Sequence, residues 1–251
     1  MDIHKPHAPH SWGEFLREIA TIVTGILIAL ALEQAVTWVH ERNVAAETRA
    51  AVGEEVAENL QNLALRGQAE PCIARRLGEI GALLADWNRT GRFATPKWIA
   101  QVPGFDTATT RYDAALAAGR IAQLPREEQY ALGGLMGSMR RFDQYQEEEN
   151  IVWGRLRIMQ AGPDALSAGD RVTVRQALQD ARRLDYLQRL WVEQVPRSAL
   201  EYGYRADPRR FQRTVSKVWR SGRFTPTICA AIDTPAPEAN RQTGQIVPLP
   251  D

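Results

Sequence analysis

The chain has 251 residues, 44% of them hydrophobic and 24% charged, with a formal net charge of +1. This composition is that of an ordinary folded chain and excludes a wholly disordered or fibrous one. Near-neutral charge also removes any global electrostatic case for nucleic acid as a partner.

The N-terminal residues hold His4, His7 and His10, interleaved with Pro6 and Pro9. In a polyproline helix the three rings point the same way, but successive rings stand roughly 9 Å apart, too far to share one metal ion. Residues 1–11 therefore read as a flexible tail, with a fold-back chelate as the lesser alternative. His40 is the only other histidine, so histidine-based acid–base chemistry has no candidate farther along.

A helix starts at residue 12, because Ser11-Trp12-Gly13-Glu14 has the spacing of a capping box. From Ile19 to Val39 no side chain is basic. As a helix this stretch spans roughly 31 Å, close to the ~30 Å hydrocarbon core of a bilayer. Trp12 and Trp38 stand where interfacial aromatics belong. Residues 12–40 are predicted to be a transmembrane helix. Ala29-Leu30-Ala31 has the form of a signal cleavage site, but apolar character continues through Ala35, Val36 and Trp38, which favours an uncleaved anchor. Lys5 and Arg17 on one side balance Arg42 and Arg49 on the other, so charge alone does not orient the helix.

Thr21, Gly25, Ala29 and Glu33 recur every four residues and share one helix face. Small residues at this spacing let a second helix approach closely. Glu33 either snorkels to the interface or hydrogen-bonds another helix. The segments Glu14-Phe15-Leu16, Gly25 to Leu30, Glu33-Gln34 and Trp38 resemble a family of proteobacterial single-pass membrane proteins that carry no assigned activity. The DUF6090-type families are similar, although there the Trp follows the Gly sooner and Gln-x-Asn-Asn replaces Glu-Gln. The resemblance covers about residues 14–65 and implies an architecture, an apolar helix running into a polar helical stalk.

Val52, Val56, Leu60 and Leu63 continue the helical spacing, so the first helix is predicted to run to residue 66 and stop before Gly67, with residues 41–66 as the stalk. Pro71 suits the first turn of a second helix, which ends near Asn88 to Gly91. Residues 91–106 read as a loop with a short helical turn after Thr95-Pro96. Helices are predicted over 107–118 with Gly119 as the stop, and from Pro125 to Ala161. Another is predicted from an Asp170 cap to Val195, where Pro196 kinks or ends it, and a shorter one from Pro208 to before Gly222. Residues 233–251 turn to Pro, Thr, Gln and Asn and read as a disordered tail. The predicted fold class is all-α: a transmembrane helix, a helical stalk and an antiparallel helical bundle over 67–232.

Two cysteines, Cys72 and Cys229, are either separate buried thiols or one disulfide closing a long loop, and the disulfide requires an oxidising compartment. That pair favours a bacterial inner-membrane protein with its large domain in the periplasm, with a cytoplasmic domain as the alternative. The apolar ladder Leu132, Leu135, Met139, Phe142, Trp153 and Leu156 has Gln146 and Glu149 as missing rungs. No Glu-x-x-His pair completes a carboxylate metal site, so the run Glu147-Glu148-Glu149 reads as a solvated face with one inward carboxylate paired to arginine. The segment containing Arg209, Arg210, Arg213, Lys217 and Arg220 is strongly basic around Phe211, Val215 and Trp219. It is either a solvated face over a core stripe or a surface for anionic lipid or an acidic partner.

No catalytic, cofactor or metal motif is present, and none is predicted to be used. The expected function is that of a membrane-anchored interaction or accessory protein, non-enzymatic, whose partner is another membrane protein or a second copy of itself, with no nucleic acid. A periplasmic sensory or ligand-binding bundle is the alternative, and an enzyme of unrecognised type stands third.

Overall fold

The computed structural model describes residues 11–100, 102, 104–206, 209, 213 and 227–235. Helices α1 (Trp12–Thr90), α2 (Thr110–Ala117), α3 (Arg126–Leu156) and α4 (Ala168–Glu201) dominate it. Single 3-10 turns lie at Ile121–Gln123, Arg157–Ala161, Pro163–Ala165 and Thr227–Cys229, and no strand occurs among the described residues. The fold is all-α. The chain divides into two units, Met1–Arg49 and Ala50–Asp251, and α1 contributes to both.

In the first unit the Glu14 backbone N–H donates to Ser11 Oγ at 3.3 Å, as the cap pattern requires. The hydroxyls of Thr21, Thr24 and Thr37 donate to carbonyls one turn back at 2.7–3.0 Å, so these polar groups are satisfied within the helix. Every residue from 11 to 43 is exposed, although the run is rich in Ile, Leu and Val. Among the described residues this is the one helix long and apolar enough to cross a membrane.

The second unit is a helical bundle. Helix α4 runs antiparallel to α3, since Gln188 of α4 donates to the Phe142 carbonyl while Trp191 and Val195 line a groove with Leu135 and Ala131. Helix α1 runs antiparallel to α4 as well: Gly67 faces Val192, and Gly81 faces Leu178 and Arg182. The core closes over Ile73, Ile80 and Trp87 of α1, Trp153 and Leu156 of α3, and Ala177 and Leu184 of α4.

Because α1 and α3 run in the same direction, the chain must return along the bundle between them. The described residues between 91 and 109 make that crossover outside any helix or strand, and side chains of α1, α3 and the 3-10 turn after α3 bond its backbone. Asn59 donates to the Ala108 carbonyl at 2.7 Å and accepts its N–H at 2.8 Å. Gln146 grips Phe105 in the same two-way manner, at 2.7 and 3.0 Å. Asn62 donates to the Asp106 carbonyl at 2.6 Å, Asp143 accepts the Thr107 N–H at 2.9 Å, and Gln160 accepts the Ile99 N–H at 3.1 Å. A buried loop without such partners would strand its peptide groups. The ladder ends at Glu55, whose two carboxylate oxygens accept the Arg111 and Tyr112 N–H groups at 2.8 and 2.9 Å. Glu55 thereby caps α2 from a distant helix, where Thr109 makes no side-chain cap bond.

Several boundaries differ from those read in the sequence. Helix α1 does not stop at Gly67 and restart at Pro71; it runs through both. Gly67 is there for close approach, since a Cβ would meet Val192 Cγ1 at 3.0 Å. Pro71 removes one helical hydrogen bond, and packing of Cys72 and Ile73 immediately after it holds the helix together. Residues 50–66, read as stalk, belong to the packed unit, with Val52, Val56, Leu60 and Leu63 all buried. No helical turn follows Thr95-Pro96 among the described residues, where the chain belongs to the irregular crossover. The cap of α4 is Ser167, in a capping box with Asp170 at the third helical position, and α4 continues past Pro196 to Glu201.

Candidate functional site

The most unusual chemistry in the bundle lies in its centre. Arg66 of α1 is 1% exposed, yet three carboxylates surround or adjoin it. Its Nη2 stands 3.2 Å from Glu149 Oε1 of α3 and 3.5 Å from Asp185 Oδ1 of α4. Its Nη1 stands 3.2 Å from Glu70 Oε2, one turn along α1. Arg189, one turn along α4 from Asp185, places Nε 3.2 Å from Glu70 Oε1 and 3.9 Å from Asp185 Oδ2.

Two guanidinium groups therefore face three carboxylates, and full ionisation would leave one uncompensated negative charge in the core. Burial disfavours it first, and mutual repulsion adds to burial. The Glu70 carboxyl is pushed up to about 7 by burial and by Asp185, against the opposing pull of Arg66. The Glu149 carboxyl is pushed up to about 6, again by burial first, with Arg66 opposing. Among the described residues Glu149 Oε2 and Arg66 Nε have no hydrogen-bond partner, and neither do Gln188 Oε1 and Trp153 Nε1, one turn from Asp185 and Glu149 respectively. The arrangement can hold and release a proton. No group of three or more His, Cys, Asp or Glu side chains among the described residues is arranged to hold a metal ion.

A second buried arginine serves the C-terminal end of the domain. Arg76 is fully buried and donates to the carbonyls of Trp98 at 2.6 Å and Ile228 at 3.5 Å, and to that of Ala230. Glu79 Oε2 accepts from its Nε at 2.7 Å. Burial lowers its pKa, and Glu79 opposes the shift. Next to it, Arg75 donates to the Cys229 carbonyl at 2.5 Å. The Ile232 carbonyl accepts the backbone N–H groups of Lys97 and Trp98, both at 3.1 Å. Cys72 and Cys229 lie within this seat as a disulfide, with their Cα atoms 4.8 Å apart. Residues 227–232 are thus fastened to α1 and to the crossover by a disulfide, by arginine side-chain hydrogen bonds to their carbonyls and by backbone hydrogen bonds together.

The remaining sequence candidates fall elsewhere. Thr21, Gly25, Ala29 and Glu33 all lie exposed on the first unit, and a Cβ on Gly25 would meet nothing within 4 Å. Arg209 and Arg213 are helical and exposed; Arg210, Lys217 and Arg220 lie outside the described residues, as do His4, His7 and His10. Glu149 is the inward carboxylate of the acidic run, and the second missing rung, Gln146, is also buried. Arg66, Glu70 and Asp185 gave no comparable signal, since each sits among other charges along its helix.

Comparison with family models, with curated proteins and with solved structures found no match to this chain.

Proposed function

We propose that this chain is a membrane-anchored interaction protein without catalytic activity, held by residues 19–39 in a bacterial inner membrane, with its disulfide-bearing bundle on the periplasmic side. The carrying observation is that residues 11–43 are exposed throughout, although a run this apolar requires a nonaqueous surround. Within it, the face Thr21, Gly25, Ala29 and Glu33 meets a second transmembrane helix, from another copy or from a partner membrane protein. Open space beside Gly25 supports close backbone approach there. A carboxylate in such a span is suited to face protein or water. The exposed Arg209 and Arg213 add a cationic surface for anionic headgroups or an acidic partner.

A bacterial two-hybrid assay between full-length chains, extended to candidate partners recovered from native membranes, tests the reading. Gly25→Leu is expected to abolish association by blocking approach. Glu33→Gln is expected to weaken it mildly, because membrane hydrogen bonds average only about 0.6 kcal/mol. Undiminished association in Gly25→Leu would remove this face from the proposal.

A further inference from the structure

Residues of α3 and α4 line a groove of about 280 Å³ in the bundle. Tyr130, Gly134 and Ser138 line it from α3, and Trp191, Glu201 and Tyr202 from α4 and its C-cap. The groove lies wholly within the second unit and is independent of whatever the membrane helix meets.

Three features of this groove are not explained by the fold. The first is the floor. Gly134 lines it, and it is one of three glycines, with Gly133 and Gly137, inside a long helix where each is less favourable than alanine. A Cβ on Gly134 or on Gly137 would meet nothing within 4 Å, so intramolecular packing does not require these glycines. At Gly134 the effect is to leave space in the groove. The second is the walls. Tyr130 is 78% exposed and Tyr202 52% exposed, large aromatic surfaces held in water. Among the described residues neither ring stacks on the other or on Trp191. The third is the charge. Glu201 is the one ionisable acid among the lining residues, no lysine or arginine joins it, and no ion pair among the described residues engages it.

These features select a class of ligand. An anion would meet a carboxylate and no cation. A wholly apolar molecule would desolvate Gln194, Ser198 and Glu201 without replacing their hydrogen bonds. A small organic cation fits both the π faces and the carboxylate, since aromatic rings attract ammonium groups through their quadrupole. We propose that this groove binds a small organic ammonium ion of the trimethylammonium type, with Trp191, Tyr130 and Tyr202 as its aromatic walls and Glu201 as its counter-charge.

The test is equilibrium dialysis of radiolabelled choline against the full-length chain in a maltoside detergent, which carries no ammonium headgroup. Saturable binding is expected, with displacement by tetramethylammonium and no displacement by 3,3-dimethylbutanol, the uncharged isostere of choline. Trp191→Leu is expected to weaken binding about tenfold and Glu201→Gln about fivefold, the latter more at low salt. A Cβ at residue 134 meets nothing within 4 Å and leucine favours the helix, so Gly134→Leu is expected to fold, as circular dichroism checks, and to lose choline binding by more than about tenfold. Nanodiscs separate two sources of the same group. If choline binding is blocked in phosphatidylcholine discs but not in phosphatidylglycerol discs, the natural occupant is a lipid headgroup; equal binding in both assigns the groove to a soluble cation. Three results would each overturn the proposal: no saturable binding of choline, equal competition by the uncharged isostere, or unchanged binding in a folded Gly134→Leu variant.

Discussion

The Arg66 guanidinium stands 3.2 Å from Glu149 Oε1, and both side chains are 1% exposed. Removing either partner leaves the other charge buried, so the cost is that of an uncompensated charge and not of one hydrogen bond. Arg66→Ala is therefore expected to destabilise the bundle by about 3–5 kcal/mol. Glu148 provides the contrast: it pairs with Arg183 at 3.6 Å with both side chains more than half exposed. Glu148→Ala is expected to cost less than about 1 kcal/mol. Unfolding of the full chain in maltoside, followed by circular dichroism, compares them; equal losses would mean that the buried cluster has no special weight.

The same cluster sets a pH dependence. Glu70 rises to about 7 and Glu149 to about 6 in the folded chain, from 4.5 for a free carboxyl. Both are raised, so the folded state holds more protons than the unfolded state over this interval. Their contribution to stability is complete below about pH 4.5 and is lost as pH rises through about 6 and then about 7. The melting temperature of the full chain should accordingly fall between pH 5 and pH 8. Glu70→Gln, which is neutral at every pH, should flatten that slope while keeping hydrogen-bonding capacity near Arg66 and Arg189. A slope unchanged in Glu70→Gln would place the titration elsewhere.

How much of this was legible in the sequence differs by feature. The apolar ladder of α3 could be read because periodicity carries it, whereas the sequence left Cys72 and Cys229 open between separate thiols and a disulfide. Gln146 and Glu149 stood out as polar rungs in that ladder, and both are buried. Their partners were hidden, since Arg66 lies 83 residues from Glu149 and local sequence does not encode such a pairing. Gly67 and Pro71 resembled a helix boundary because breakers are judged by local propensity, whereas packing on both sides of Pro71 outweighs it here. The crossover has no apolar period. Asn59 and Asn62, which bind it, look from sequence alone like solvated positions on a stalk.

Glu55 offers a separate test of that crossover. It is 2% exposed and accepts two backbone N–H groups at the start of α2. Glu55→Ala removes both acceptors and is expected to cost about 2 kcal/mol, the upper range for a lost cap. Glu55→Gln keeps one acceptor oxygen and should cost less. Hydrogen exchange of the Arg111 and Tyr112 amides reads the effect locally, and protection unchanged in Glu55→Ala would exclude the capping role.

The disulfide bears directly on the membrane topology. Cys72 and Cys229 are separated by 157 residues, and the chain-entropy model gives about 5 kcal/mol for a loop that long, an upper figure. If the bundle is periplasmic, alkylation of native-membrane protein after unfolding without reduction should leave both thiols unmodified by mass. Alkaline phosphatase fused after Ile232 should be active, because that enzyme also needs an oxidising compartment. In Cys72→Ser the covalent tie is gone, but the Arg75 and Arg76 bonds to the carbonyls of Cys229 and Ala230 remain. Residues 227–232 should then stay seated at low temperature and become sensitive to protease well below the melting temperature of the parent chain. Two free thiols together with an inactive fusion would reverse the orientation, leaving the arginine bonds alone to hold the C-terminal segment.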